Sequence, residues 1–235
     1  MSATVAAAML AAALAAHATP RKSHTVYLAA VKRVPYSKAG DPAGAAPGET
    51  ELAIRALVVD GQTKEWTTGD KHDVTDRSFV IRRATRLNDA LPGDASTAAK
   101  DHWVWQRGPW LLVSRATGRI TALKLPDYDP GVSQVVWFRD YGAYCGITPS
   151  GKSLHAVVAQ IGVRKLALSR KLAAFDAENP PVSVCGPVEW QREPLRVTFH
   201  PTGHDAVSFD LAPGSAALVE DSEDEPDTTP PDKPN

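Results

Sequence analysis

The hydrophobic residues of this chain fall into short runs that are separated by Gly, Pro and Asp, and many runs alternate apolar with polar positions. Alternation with a period of two is typical of half-buried β-strands. The pattern predicts strands at His24–Val34, Leu52–Val59, Arg77–Leu87, His102–Gln106, Trp110–Ser114, Arg119–Leu125, Ser133–Arg139, Ser153–Gln160, Leu195–His200 and Ala206–Leu211. We therefore expect an all-β, mostly antiparallel fold.

The stretch Ser153–Phe175 is ambiguous, because its apolar residues would also line one face of a helix. Gly162 and the β-branched residues of this stretch disfavour a continuous helix. The strand interpretation is preferred there, although periodicity alone leaves both open.

One segment of the chain occurs twice. Trp105-Gln106-Arg107-Gly108-Pro109 returns 85 positions later as Trp190-Gln191-Arg192-Glu193-Pro194, and Thr117-Gly118 returns at the same offset as Thr202-Gly203. Each copy then reads as a strand, a Thr-Gly turn and a second apolar strand, which is a β-hairpin. The sequence thus predicts an internally duplicated hairpin within two similar halves, at about 50–125 and 135–211.

The segments Thr148–Leu154 and His200–His204 resemble the Ser-Pro-Asp-Gly-Lys turn in blades of exported bacterial β-propeller-like proteins. The run Val135–Leu172 can be laid out as one four-stranded blade of that kind. The resemblance implies propeller-like blades. A two-sheet sandwich or an open barrel fits the strand pattern equally well.

The ends of the chain differ from its centre. Residues 1–18 have the form of a signal peptide, with an apolar run too short to span a bilayer and a small-x-small site, Ala16-His17-Ala18. No Lys or Arg precedes the run, so an upstream start or an Ala-rich helix of a cytosolic protein remains open. We expect a first strand and a flexible Pro/Gly loop over 19–49, a β domain over 50–212, and a disordered acidic, Pro-rich tail over 213–235.

The formal net charge of −1 is unevenly distributed. From Glu220 onward there are seven acidic residues against Lys233, a charge of −6, so the preceding part of the chain carries +5. No second apolar stretch is long enough to cross a membrane, and we expect no transmembrane segment in the mature protein. The near-neutral whole chain and the absence of interleaved aromatic and basic residues argue against nucleic acid as a partner.

The two cysteines, Cys145 and Cys185, both lie in the predicted mature part. In an oxidising compartment such a pair most simply forms one disulfide. Together with the leader, this predicts an exported, periplasmic or secreted, protein.

Three segments resemble chemical motifs, and each has a simpler interpretation. Gly146–Ser153 matches the phosphate-loop pattern, but its antiparallel surroundings and Cys145 favour a hairpin turn over a nucleotide site. Asp127 and Asp129 could open a calcium loop that lacks its remaining oxygen ligands. His200, His204 and Asp205 are too few for a convincing zinc or copper site. We predict no cofactor and no metal.

The remaining candidates are tryptophans and basic doublets. Trp103 and Trp105 share one strand face and could stack on a ligand, although Trp105 and its repeat partner Trp190 are better explained as core residues. Arg82-Arg83 and Arg164-Lys165 would attract an anionic partner if they lay on one face. The possible binding surface therefore comprises Trp103, Trp105, Arg82, Arg83, Arg164 and Lys165.

The chain contains no recognisable catalytic motif. We hypothesise an exported, noncatalytic β module that binds a cell-envelope component or a protein partner. One alternative is a periplasmic or secreted hydrolase whose active site is dispersed over several loops. Another is a subunit that completes a second protein's sheet through an open strand edge.

Overall fold

The structure, a computed structural model, describes residues 24–37, 49–88, 103–178, 184–212 and 215–219. The predicted signal peptide, most of the predicted loop before residue 50 and the acidic run from Glu220 lie outside these ranges. Within them, no helix is long and apolar enough to cross a membrane.

The prediction of an all-β, mostly antiparallel fold is confirmed, since every ladder between strands is antiparallel. The strands are β1 (Val26–Leu28), β2 (Lys32–Pro35), β3 (Glu51–Val59), β4 (Gln62–Thr75), β5 (Ser78–Asn88), β6 (Trp103–Ser114), β7 (Ile120–Ala122), β8 (Val136–Phe138), β9 (Tyr141–Ile147), β10 (Ser153–Gln160), β11 (Leu168–Ala174), β12 (Glu189–Gln191), β13 (Arg196–Phe199), β14 (Val207–Ala212) and β15 (Ser215–Leu218). They form a seven-stranded first sheet (β1–β7) and two four-stranded sheets, the second (β8–β11) and the third (β12–β15).

The first sheet has the order β1-β3-β4-β5-β6-β7, and β2 pairs with the same edge of β3 as β1. The prediction of one continuous strand over His24–Val34 is therefore wrong, because the chain forms two strands, β1 and β2, with a break between them. Arg55 explains the interruption, because its Nε donates to the carbonyl of Ala29 at 2.6 Å and its Nη2 donates to that of Leu28 at 3.1 Å. These side-chain hydrogen bonds replace ladder bonds where the chain leaves β3.

The first sheet is strongly curled. Its ladders contain register shifts, for example at Leu57/Val58 between β3 and β4 and at Arg82/Ala84 between β5 and β6. Such bulges bend a strand and increase its twist. The curl brings the end of β2 to β6, where Tyr36 forms an isolated bridge with Trp105. Among the described residues a single bridge and no ladder joins these strands, so the described sheet is not a closed barrel.

Several strands differ from the sequence-based expectation. β6 was expected as two strands separated by Arg107-Gly108-Pro109, but it runs through them, because a bulge accommodates a proline that cannot donate to the ladder. β4 was missed because it is rich in polar and charged residues. β9 was also not among the predicted strands; it contains Gly142, where a Cβ would lie 2.6 Å from the ring of Trp137.

The region Ser153–Phe175 forms β10 and β11 around a loop at 161–167, not a helix. A further strand, β15, pairs with β14 beyond residue 212. The small and apolar residues of β15 precede the charged run that begins at Glu220, and they can still join a sheet.

The second and third sheets share one hydrophobic core. Ala143, Leu154, Ala156 and Val158 of the second sheet cluster with Val197, Phe199 and Phe209 of the third. The Cys145–Cys185 disulfide is present and joins β9 to the segment that leads into the third sheet. Two small sheets therefore bury their apolar faces against each other and are covalently tied.

The first and second sheets also contact each other. The ring centroid of Trp137 lies 5.2 Å from that of Trp110 in an edge-to-face arrangement and 6.2 Å from that of His72. The Nε2 of His72 hydrogen-bonds to the carbonyl of Arg139 at 2.7 Å. These contacts fix the second sheet against the middle of β4 and β6.

Both copies of the repeated sequence contain a hairpin, β6–β7 and β13–β14. The glycines of their turns have positive φ angles, 64° at Gly118 and 76° at Gly203, which suit glycine. The leading segments differ, since Trp105–Pro109 lies inside β6 whereas Trp190–Pro194 ends β12 and turns into β13. The duplication of the hairpin stays a prediction.

Replacing Cys185 by Ser should lower the free energy of unfolding in oxidising buffer. The disulfide closes a sequence separation of 40 residues. On the chain-entropy model, its removal costs about 4 kcal/mol. Urea unfolding of both proteins measures the difference, and reducing buffer should abolish it. Equal unfolding free energies in oxidising buffer would contradict the role assigned to the disulfide.

Replacing Tyr144 by Phe should make stability less sensitive to alkaline pH. Tyr144 is fully buried and its hydroxyl donates to the carbonyl of Pro126. Burial, followed by the nearby Asp127 charge, raises the pKa of the hydroxyl far above its ordinary value of about 10. The folded state keeps this proton, whereas the unfolded state loses it above pH about 10. The contribution of the Tyr144 hydroxyl to the free energy of unfolding is therefore fully present below pH about 10 and is lost as the pH rises above it.

Urea unfolding curves at increasing pH measure the effect. At neutral pH, the free energy of unfolding of Tyr144→Phe should be about 1 kcal/mol lower than that of the wild type, because the hydrogen bond is missing. Above pH about 10, its free energy of unfolding should fall less steeply than that of the wild type, by up to about 1.4 kcal/mol per pH unit. Parallel declines of the two proteins would show that the hydroxyl does not stay protonated in the folded state.

Candidate functional site

The first sheet opens into a cleft where the pairing of two neighbouring strands stops. β4 and β5 are paired from Thr75/Ser78 as far as Thr67/Arg83. Beyond that pair, residues 62–66 of β4 continue alongside β3, whereas residues 84–88 of β5 continue alongside β6. Within the part of the chain that the structure describes, no ladder joins these two segments, and residues 62–66 and 84–87 each present a strand edge to the gap. We call this gap the β4–β5 cleft.

Two neighbouring ladders explain why the strands separate. The register shift at Leu57/Val58 lies beside the β4 segment, and the shift at Arg82/Ala84 lies beside the β5 segment. Each shift increases the local twist of its strand pair. The two pairs therefore twist away from each other once the shared β4–β5 ladder ends.

The β4–β5 cleft has a volume of about 640 Å³. Its walls come from the two separated strand segments, and β2 and β6 complete it. The lining residues are Lys32, Thr63, Lys64, Glu65, Trp66, Arg83, Ala84, Thr85, Arg86 and Trp105. The cleft is broad and open to solvent.

Two tryptophans contact each other across the cleft. The ring centroids of Trp66 and Trp105 are 5.8 Å apart, with an angle of 71° between the planes. Both rings pack on a buried cluster that includes Val34, Ile54 and Ala84. Since Trp105 is also bridged to Tyr36, the aromatic pair is held by the core and by the curl of the sheet. It therefore forms a rigid apolar surface.

The side chains around the tryptophan pair are mainly cationic. Lys32, Lys64 and Arg86 are exposed, and no carboxylate in the described part of the chain forms an ion pair with them. Glu65 is the one acidic residue of the lining, and Arg83 neutralises it through an ion pair. The electrostatic character of the cleft thus favours an anionic ligand.

Arg86 extends the aromatic surface beyond the cleft. Its guanidinium lies 4.2 Å from the ring centroid of Trp103, which is 39% exposed. Trp103 and Trp105 occupy alternate positions of β6 and share one face of the strand. The stacked cation holds an exposed aromatic side chain next to the opening.

The structure places the six residues of the predicted binding surface in different positions. Trp105 and Arg83 line the cleft, and Trp103 lies beside it. Arg82 points elsewhere, since its Nε donates to the carbonyl of Gly108 at 3.1 Å. Arg164 and Lys165 belong to the 161–167 loop of the second sheet. The six residues do not form one continuous surface.

Eight of the residues that line the cleft were not part of the predicted binding surface, among them Lys32, Lys64, Trp66 and Arg86. Trp66 and Lys64 lie on the missed strand β4, and Lys32 and Arg86 were not singled out. The run Glu65–Thr68 offered a signal, because Trp and Thr are enriched in strands. Nothing local indicated Lys32, since its position depends on the pairing of β2 with β3.

The phosphate-loop-like segment forms a hairpin turn. Gly146 lies in β9, Ser153 begins β10, and Gly151 turns the chain with a φ of 67°. A strand follows the motif, whereas a phosphate cradle needs the amino end of a helix. The hairpin interpretation is confirmed.

The predicted metal candidates have other contacts. The carboxylate of Asp129 accepts a hydrogen bond from the amide of Gly131 at 2.7 Å, and the carbonyl of Asp127 accepts one from Ile147. The Nε2 of His200 lies 3.5 Å from Glu189. Across the described ranges, no group of three or more His, Cys, Asp or Glu side chains could hold a metal ion.

Two carboxylates with a lowered pKa lie outside the cleft. A hydrogen bond from Arg115 lowers the pKa of Asp73, and one from Arg196 lowers that of Asp210. The first pair links β4 to the end of β6 across β5, and the second joins the paired strands β13 and β14, so both have structural roles. Trp190 likewise packs in the shared core, where its Nε1 donates to the carbonyl of Val136 at 3.1 Å.

Comparison with known proteins found no match for this chain among family models, curated proteins or solved structures.

Proposed function

We propose that this chain is an exported, noncatalytic binding module that captures an extended acidic segment of a protein partner by strand addition in the β4–β5 cleft. The observation that carries the proposal is a pair of strand edges, residues 62–66 and 84–87, that face one gap and have no partner strand there among the described residues. Unpaired N–H and C=O groups on a strand edge form a template for another extended chain. The predicted leader and the Cys145–Cys185 disulfide support export.

The chemistry of the lining specifies the charge of the added segment. Lys32 and Lys64 stand on the β2 and β4 side of the cleft, and Arg86 stands on the β5 side. Alternate side chains of an added strand point to the same face. One face of the ligand can thus present carboxylates to these cations while an apolar side chain contacts the Trp66–Trp105 pair.

The same lining supports a role without catalysis. General acid–base chemistry requires a carboxylate, histidine or similar group that is positioned to exchange a proton with a substrate. The acidic residue of the cleft, Glu65, is already engaged by Arg83. Binding through backbone edges, cations and an aromatic surface requires no such group.

The test uses a short peptide of alternating Glu and Val, labelled for fluorescence anisotropy. The full chain should bind it, and Lys64→Gln/Arg86→Gln should weaken binding by about ten-fold, since each exposed ion pair is worth up to about 1 kcal/mol. Arg33→Gln/Arg119→Gln is the matched control, because it removes the same charge from exposed positions outside the cleft. The control should change the affinity by less than about two-fold.

Two further probes separate strand addition from other modes of binding. A peptide of the same sequence with N-methylated alternate amides keeps its charge but cannot form the ladder, and it should not bind. Equal binding of both peptides would refute strand addition. If the acidic polysaccharide polygalacturonate binds and the peptide does not, the ligand is an envelope glycan. If mass spectrometry shows that the peptide is cleaved, the protein is a hydrolase.

Replacing Glu65 by Gln should increase the affinity for the acidic peptide, whereas Lys64→Gln/Arg86→Gln should decrease it. The change removes the acidic charge from the cleft and releases Arg83 to a carboxylate of the ligand. We expect the acidic peptide to bind about two- to five-fold more tightly, in the range of one exposed ion pair. Weaker binding, with an unchanged circular dichroism spectrum, would show that acidic side chains do not contact this part of the cleft.

A further inference from the structure

A second surface of the molecule combines apolar depressions with cations, and it lies on the second sheet. The 161–167 loop joins β10 to β11 and separates two shallow depressions of about 290 and 260 Å³. Leu125 and Ile161 contribute to the first depression, and Tyr141 and Leu211 contribute to the second. Val163 and Leu166 line both, so the loop forms an apolar ridge between them.

Val163 projects from the top of this ridge. Its side chain is 51% exposed, and Gly162 before it turns the chain with a φ of 83°. Backbone hydrogen bonds hold the loop at both ends, from Val163 to Gln160 at 3.2 Å and from Ala167 to Val158 at 2.9 Å. The exposed valine is thus part of a turn with defined backbone contacts.

Four cations surround the ridge. Lys124 and Arg164 line the first depression, and Arg139 and Lys165 line the second. No described carboxylate forms an ion pair with any of them. Asp140, the neighbour of Arg139, accepts a hydrogen bond from Gln160 instead, at 2.8 Å. The patch is therefore apolar at its centre and positively charged at its rim.

We infer that the 161–167 loop docks this protein on the surface of a bilayer that contains anionic phospholipids. The lipid phosphates pair with the rim cations, and Val163 enters the boundary between headgroups and acyl chains. Polybasic surfaces bind anionic leaflets in this way, with about a five-fold gain in affinity for each Lys or Arg near the surface. Docking at this loop is independent of the β4–β5 cleft and would leave that cleft accessible.

The shape of the patch favours a bilayer over an acidic protein. Val163 projects outward, so a protein partner would need a matching pocket, whereas a fluid interface accepts a protruding side chain without one. The patch therefore fits a partner that is soft, extended and negatively charged.

The experiment is co-sedimentation of the full chain with vesicles of phosphatidylcholine that contain phosphatidylglycerol, and with vesicles of phosphatidylcholine alone. We expect binding to the anionic vesicles only. Arg164→Gln/Lys165→Gln should weaken it by about 25-fold, at about five-fold for each cation. The matched control is Arg170→Gln/Lys171→Gln, which removes the same charge from exposed positions on the neighbouring β11. It should change binding by less than about three-fold.

Val163→Ser tests the apolar contribution separately. It should weaken vesicle binding by about ten-fold or more, as expected when a buried valine side chain is removed from an apolar environment. Because salt screens charges and not apolar contacts, this loss should persist at high ionic strength, while the effect of Arg164→Gln/Lys165→Gln should shrink. All variants should keep the wild-type circular dichroism spectrum.

Three outcomes would overturn the inference. The first is equal binding to neutral and anionic vesicles, and the second is equal weakening by the two double variants. The third is that the protein does not bind vesicles but binds soluble polyglutamate through Arg164 and Lys165. That result would assign the patch to an acidic protein partner.

Discussion

The candidate site depends on the point at which the β4–β5 ladder ends. Up to Thr67/Arg83 the two strands share hydrogen bonds, and beyond it each follows its other neighbour. Burying unpaired backbone groups of a strand edge raises the free energy of the folded state, whereas accessible ones can pair with another chain. A local loss of pairing in the middle of a seven-stranded sheet thus creates both the space and the hydrogen-bonding groups of the cleft.

The rest of the molecule makes this arrangement stable. The cluster of Val34, Ile54 and Ala84 supports the tryptophan pair, and the bridge from Tyr36 to Trp105 holds β2 against β6. The second and third sheets share another core, which the Cys145–Cys185 disulfide ties together. The cleft and the 161–167 loop therefore lie on separate sheets, each with its own hydrophobic support.

The fold class followed from local patterns, because alternation along β3 and β10 reports directly which side of a strand is buried. The disulfide could be predicted because the chain has two cysteines. By contrast, β4 has polar residues on both faces and owes its conformation to ladders with β3 and β5. Periodicity could not reveal such a strand.

The site was predictable only in part for the same reason. Trp103 and Trp105 stand out in the sequence, and Arg83 was selected as half of a basic doublet. Lys32, Trp66 and Arg86 join them through pairings between distant segments, and the separation of β4 from β5 depends on register shifts in two other ladders. Register of this kind is a property of the assembled sheet.

Amide hydrogen exchange, resolved by residue with NMR, tests the central claim most directly, because it measures pairing without any ligand. The account predicts protection of the amides that bond β4 to β5 between Thr67/Arg83 and Thr75/Ser78. It also predicts rapid exchange of those amides in residues 62–66 and 84–87 that point into the cleft. Protection of every amide in both segments would mean that the strands remain paired and that the cleft does not exist.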